Sequence, residues 1–228
     1  MNSLISLKKI SKSFSNNKKL VVLKKIDYSF SKGKIYSLMG PSGSGKSTLL
    51  NILSMIDQPT KGSLIINDSL INFNNSNKND KIRSNKIGIV YQQNNLLPDF
   101  TAIENVYLAG LALNDDKNNS IKKAKKIIKE VGLSSREHHY PSELSGGEMQ
   151  RIAIARALIN EPEIILADEP TGSLDHKTAK EVFKVLYKLK NKNRLIIYAT
   201  HNRFFANMAD CILEMIDGNI KTINARIK

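Results

Sequence analysis

The residues best suited to chemistry lie in one short stretch. Gly40, Pro41, Ser42, Gly43, Ser44, Gly45, Lys46 and Ser47 spell G-P-S-G-S-G-K-S, and Thr48 follows. An apolar run, Ile35 to Met39, precedes them, and Leu49, Leu50, Ile52 and Leu53 come after. This is the pattern G-x-x-x-x-G-K-[ST] in a strand–loop–helix setting. Glycines there let backbone N–H groups curl around an anion, and the positive end of the next helix faces the same anion. Lys46 is then expected to reach the β- and γ-phosphates, and the Ser47 hydroxyl to ligate Mg²⁺. The expected ligand is a nucleoside triphosphate; the competing reading is a Gly/Ser turn that binds nothing.

Two further groups could complete such a site. Asp168 and Glu169 end the apolar run Ile164 to Ala167, and ligands of parallel sheets sit outside the carboxyl ends of the strands. Asp168 is suited to hold Mg²⁺, directly or through water, and Glu169 to polarise an attacking water. A simple turn cap before Pro170 is the alternative, and the phosphate loop argues against it. Ser145-Gly146-Gly147-Glu148 reads as a capping box, Ser at the N-cap and Glu three residues on. Two glycines in the first turn exceed what a cap requires and leave N–H groups open to an anion.

Leu144-Ser145-Gly146-Gly147-Glu148 with Gln150-Arg151 resembles the signature motif of ABC-type ATPases, and the resemblance extends over nearly the whole chain. Gly40 to Thr48 matches the Walker A motif of that family, and Ile164 to Glu169 its Walker B motif with the catalytic glutamate. Gln92 is placed like the Q-loop glutamine, Ser173-Leu174-Asp175 like the D-loop, His201 like the switch histidine and Phe14 like the aromatic that stacks on adenine. The resemblance implies a head-to-tail, two-fold dimer that encloses two ATP. Each ATP lies between the Walker A loop of one copy and the Ser145–Gly147 helix start of the other, with Asp175 also near nucleotide. Lys46 and His201 stabilise transferred charge, and Gln92 senses Mg²⁺ and water. Loss of the γ-phosphate loosens the pair.

The elements that must position these groups are legible in outline. Leu4 to Ile10 is strand-like, and Ile26, Tyr28 and Phe30 alternate with polar residues, which predicts an antiparallel start. Gly33 marks a turn, Leu64 to Ile66 and Leu70 to Phe73 read as short strands, Asn74 to Asp80 as a polar surface loop, and Ile87 to Val90 as a buried strand. Three helices are expected next. One is capped by Thr101 and Glu104 and runs through Leu111. One begins near Ser120, with Ile121, Ala124, Ile128 and Val131 on one face and Gly132 closing it. The third, largely buried, runs from Ser145 to about Ile159, before Asn160 and Pro162. Strand–helix alternation resumes with Ile164 to Ala167, the helix stripe Ala179, Val182, Phe183, Leu186 and Leu189, and the strand Leu195 to Ala199. A hairpin turning at Asp217-Gly218 closes the chain. The predicted fold class is α/β, a P-loop NTPase with a parallel core sheet and an antiparallel β edge. It forms one domain over residues 1–228, with a helical subdomain inserted at about 93–160.

Composition bounds the class. The chain has 228 residues, 41% hydrophobic and 25% charged, as expected of a globular protein with one substantial core. A single cysteine, Cys211, excludes an intrachain disulfide and fits a reducing compartment. No apolar run reaches the ~18 residues of a membrane span, and Met1 to Ile10 lacks a signal-peptide core. The net charge of +14 is mostly Lys accompanied by frequent Asn and Ile, which reads as solvated surface with a compositional bias. Nucleic-acid affinity that disappears at physiological salt is the corresponding expectation.

Within the family, the stretch Leu96-Leu97-Pro98-Asp99-Phe100-Thr101-Ala102 with Glu104-Asn105-Val106 is similar to the ATP-binding subunit of the bacterial lipoprotein-releasing system. So is Pro141 to Glu148. The implied role is to drive a separate integral membrane permease in lipoprotein release, from the cytoplasmic face of the inner membrane. ATPases of macrolide or peptide exporters and of the cell-division ABC complex are the alternatives. The chain departs from the pattern at Met149, at Ser173 where relatives often have Asn, and at Asn94-Asn95 on the expected docking surface. His138-His139 lacks accompanying ligands at metal spacing. A soluble nucleic-acid-associated ABC ATPase would be expected to carry two fused ATPase domains or a long coiled coil. A P-loop kinase has no use for Ser145-Gly146-Gly147.

Overall fold

A computed structural model describes residues 3–16, 18–113 and 116–225. In chain order the strands and helices are β1 (Ser3–Asn16), β2 (Lys18–Ser31), β3 (Ile35–Met39), α1 (Lys46–Leu53), β4 (Lys61–Ile66), β5 (Ser69–Leu70), α2 (Ser76–Lys86), β6 (Ile87–Val90), α3 (Ala102–Leu111), α4 (Lys117–Glu130), α5 (Gly146–Leu158), β7 (Ile164–Asp168), α6 (His176–Lys188), β8 (Leu195–Ala199), α7 (Arg203–Ala206), β9 (Cys211–Ile216) and β10 (Asn219–Ala225). They gather into two compact units, one formed up to Asp80 and again from Lys190 on, the other by Lys81–Leu189.

The first unit holds an antiparallel sheet ordered β2-β1-β4-β5 and the strands β10-β9-β3-β8. β1 and β2 pair as their alternation predicts, Leu7 opposite Tyr28 and Ile10 opposite Ile26. A bulge on each strand, with φ of 52° at Lys9 and 50° at Lys25, changes the side-chain phase. It brings residues three apart, Leu7 and Ile10, or Leu23 and Ile26, to the same buried side. In the other sheet β3 runs parallel to both β8 and β9. Such strands are covered on both faces and read as unbroken apolar runs, and Ile35, Tyr36, Leu38 and all five residues of β8 are buried. The Asp217-Gly218 turn has positive φ at both positions, 47° and 76°, the hairpin geometry that matches strand twist.

The second unit pairs β6 and β7 in parallel and packs α3, α4 and α5 on one another. Ile103 and Val106 of α3, Ala124 and Ile128 of α4, and Ile152 and Ala155 of α5 share one buried cluster. Full burial of each Ile or Val side chain there contributes about 1.5–3 kcal/mol. Thr101 and Glu104 form the expected capping box. The connection from Tyr91 to Thr101 has no regular structure, so its backbone polar groups need other partners. Asn105, 2% exposed, supplies several. Its Oδ1 accepts from the Leu97 N–H (2.7 Å), and its Nδ2 lies within bonding distance of the carbonyls of Leu97, Phe100 and Thr101. Replacing Asn105 by Ala strands these groups and should cost about 2–4 kcal/mol, measurable as a lowered urea midpoint.

Three expectations need correction. Asn74 to Asp80 is not all loop, because α2 begins at Ser76. Its start is built by asparagines: Asn75 Oδ1 accepts from the Lys78 N–H, and Asn79 Nδ2 donates to the Asn72 carbonyl. Asn79 is the one residue of α2 that is buried, so no apolar stripe announced the helix. The strand expected over Leu70 to Phe73 stops at Leu70, because the Asn72 carbonyl turns to Asn79 and to the Asn75 N–H. α4 begins three residues before Ser120, since Asp116 caps it by accepting from the Asn119 N–H.

Candidate functional site

In the first unit, Gly45 caps α1 with φ 103°, and no side chain caps the helix. A side chain is excluded at Gly40 (φ 151°), where a Cβ would strike the Met215 carbonyl and stand 2.8 Å from Ser44 Oγ. Ser44 Oγ is buried and has no hydrogen-bond partner among the described residues. A buried hydroxyl without a partner, beside an uncapped helix start, fits an anion such as a phosphate oxygen. Lys46 Nζ is already turned into the loop, donating to the carbonyls of Gly40 (2.8 Å) and Pro41 (3.1 Å). Pro41, Ser42, Gly43 and Ser47 are exposed, and Thr48 is half-buried.

The β3–β8 register ends with Leu38 opposite Ala199, so Gly40 and His201 both follow the carboxyl ends of these neighbouring parallel strands. His201 is exposed there. Phe14, 43% exposed on β1, carries the Lys12 ammonium 4.9 Å from its ring centroid. An exposed ring of this kind is available for stacking.

In the second unit, the β6–β7 register, Val90 opposite Ala167, puts Tyr91 level with Asp168 and Gln92 level with Glu169. Gly172 joins the last two. A Cβ on it would lie 3.1 Å from Gln92 Nε2 and 3.4 Å from Glu169 Cβ, so both side chains pass close to its backbone. Glu169 has φ 45°, and its carbonyl accepts from the Gly172 N–H at 2.9 Å. Left-handed backbone is uncommon for such a residue and, where it occurs, clusters at functional sites.

Ser145 and Glu148 form the predicted capping box. Glu148 accepts from the Ser145 N–H (2.8 Å) and hydroxyl (2.8 Å) and from Arg136 Nε (3.1 Å). The backbone N–H of Ser145, then its hydroxyl and Arg136, hold the Glu148 carboxyl below the usual glutamate range. A depressed carboxyl stabilises the fold above its unfolded-state pKa and loses that contribution as pH falls through its folded value. The stability gap between the wild type and Glu148→Gln should therefore be open at neutral pH and close as pH falls through the folded-state value, as read by chemical unfolding across a pH series.

The two glycines differ. Gly147 is buried against the Thr178 methyl, where a Cβ would clash, so packing alone explains it. Gly146 has only Leu174 near and is half-exposed. Asp175 caps α6, accepting from the N–H groups of Lys177 (3.0 Å) and Thr178 (3.1 Å). Thr178 thus connects the start of α6 to the start of α5.

Comparison with known proteins decides the family. The ABC transporter profile matches residues 23–172, more than half of the chain. The chain belongs to the ABC transporter family. As an ABC ATPase it binds and hydrolyses ATP. It is 43% identical over 219 residues to the lipoprotein-releasing system ATP-binding protein LolD of Rickettsia bellii, covering 95% of this chain and 97% of that one. It is 45% identical over 216 residues to LolD of Rickettsia conorii, covering 94% and 96%. Among solved structures it is similar to a dimeric post-hydrolysis state of the ATP-binding cassette MJ0796 bound to ADP and Pi. That likeness has a TM-score of 0.88 and 36% identity, over 97% of this chain and 99% of that one. Among the described residues no helix is long and apolar enough to cross a membrane.

Gly172 and Arg156 carry no motif of their own, and Gln150 and Asn105 stand in family-like stretches without a role that the sequence assigns. Gly172 lies in Pro170-Thr171-Gly172, an ordinary turn signal. The other three act through backbone groups of a loop, which leaves no spacing to read.

Proposed function

We propose that this chain powers lipoprotein release from the inner membrane by pairing with a second copy around two ATP and driving a separate integral membrane permease. The observation that carries the cargo assignment is full-length likeness, at 43–45% identity, to ATP-binding subunits named for that system. The dimer reading is supported by the dimeric MJ0796 cassette and by the exposed helix start at Ser145. Peripheral attachment at the cytoplasmic face follows from the permease. The domain reading is one ABC ATPase domain over residues 1–228, its helical part inserted at about 93–160.

In this reading Gly40 to Thr48 wraps the phosphates, and Lys46 adds positive charge at the β- and γ-oxygens. Ser145, Gly146, Gly147 and Glu148 of the partner copy, with Asp175 at the seam, face the same ATP. Phe14 stacks on the base. Ser47, Gln92 and Asp168 offer hard oxygen donors that suit Mg²⁺, which when bound neutralises charge on the phosphates. Glu169 draws the proton of the attacking water, Gln92 orients that water, and His201 donates to the γ-phosphate. No step requires covalent attachment, so positioning and electrostatics supply the rate.

The test is co-expression with candidate membrane subunits, purification, and measurement of ATP-dependent lipoprotein release from proteoliposomes. Stable capture of the lipoprotein-releasing permease, with release that needs ATP, is expected. Exclusive capture of a macrolide or peptide exporter or of the cell-division membrane subunit would replace the assignment.

A further inference from the structure

Asn105 of α3 holds the later part of the irregular loop that carries Gln92, and α5 holds the part around Gln92 itself. Gln150, 2% exposed on α5, donates from Nε2 to the carbonyl of Tyr91 (2.9 Å), the residue just before Gln92. Two turns further along the same helix, Arg156 donates from Nη2 to the Asn94 carbonyl (2.7 Å) and from Nη1 to the Asn95 carbonyl (2.6 Å). Met149, also on α5, packs against the helical cluster, and its sulfur lies 3.8 Å from Asn94 Nδ2. Gln92 itself is exposed, and its amide sits over Gly172 beside Glu169.

Two short charge-assisted bonds fix the direction of two successive carbonyls, a restraint that a planar fork delivers and a point charge does not. Asn95 itself has left-handed backbone, φ 49°. Tyr91, Asn94 and Asn95 bracket Gln92, so its backbone is anchored on both sides while its side chain stays accessible. The other end of α5 starts at Ser145.

We propose that Gln150 and Arg156 are positioning residues for Gln92, and that they make its loop and the helix beginning at Ser145 a single mechanical piece. The inference rests on the role proposed above for Gln92 and extends it. A permease pressing on the Gln92–Phe100 loop would then displace the tip of α5 directly, and a shift at that tip would move Gln92 relative to Glu169.

A double-mutant cycle tests this. Gln92→Ala, Arg156→Ala and the pair are compared for kcat, KM for ATP and the Mg²⁺ concentration at half-maximal rate. Arg156→Ala alone should lower kcat by about tenfold and raise the Mg²⁺ requirement as Gln92→Ala does. In the Gln92→Ala background it should remove less than about twofold more. Arg156→Lys should recover part of the loss, since one ammonium cannot hold both carbonyls. An equal factor in both backgrounds, or no change from Arg156→Ala while Gln92→Ala is impaired, overturns the positioning role and leaves the role of Gln92 standing. Wild-type kcat and Mg²⁺ dependence in Gln92→Ala removes the role of Gln92 and the inference with it. If Arg156→Ala does not fold, Arg156→Lys and Gln150→Leu enter the same cycle and are judged by the same non-additivity.

Discussion

Glu169→Gln should stop ATP turnover while leaving ATP binding intact. The substitution keeps the shape of the side chain and removes only its capacity to take a proton. The left-handed backbone at residue 169 (φ 45°) and the bond from the Gly172 N–H to its carbonyl therefore survive. A positioned general base contributes about 10²–10⁴-fold in rate, so the loss should reach at least about 100-fold in steady-state phosphate release. Binding of a fluorescent ATP analogue should stay within about twofold, because binding draws on the phosphate loop and not on the base. With magnesium and ATP in excess, the variant should also accumulate as a dimer in scattering experiments. Turnover at the wild-type rate would remove Glu169 from the chemistry, and an exclusively monomeric variant, even with its permease, would remove the ATP-sandwich dimer.

Lys46→Ala should act one step earlier. Its ammonium is held inside the phosphate loop by the Gly40 and Pro41 carbonyls at 2.8 and 3.1 Å, so little side-chain freedom remains to be lost when a phosphate arrives. Hydrogen bonds to charged groups are worth about 1.5–3 kcal/mol each, so the Kd for ATP should rise roughly 10- to 100-fold, with turnover falling in parallel at sub-saturating ATP. Lys46→Arg should not rescue it, because a planar fork does not fit where a compact ammonium sits between two carbonyls. Circular dichroism should stay unchanged, since Gly45 and the buried Leu49, Ile52 and Leu53 carry the turn and the helix packing. An affinity within about twofold of wild type would deny Lys46 its phosphate contact. The two variants separate binding from chemistry, one failing to hold ATP and the other holding it without cleaving it.

Local signals were strong wherever one segment carries both its pattern and its partners. β3, β6 and β8 match the apolar runs residue for residue, because a strand covered on both faces has no polar side to blur its limits. The capping boxes at Thr101 and Ser145 were readable because cap and acceptor stand three residues apart. α2 was hidden because its stabilising contacts are asparagine to backbone, with no apolar period. At Gly147 the sequence shows only an opening for an anion, because the Thr178 methyl that packs on it is distant along the chain.

From its sequence alone this protein had its phosphate loop, its carboxylate pair, its helix caps and its strand cores, all of which depend on residues within one turn or one strand of each other. Only the tertiary structure could bring Gln92 and Glu169 together at Gly172, His201 to the strand ends that also carry Gly40, and Gln150 and Arg156 onto the Gln92 loop. Parallel register is set by packing between strands separated by a long crossover. A loop without regular structure takes whatever donors a neighbouring helix presents, and neither relation leaves a period in the chain.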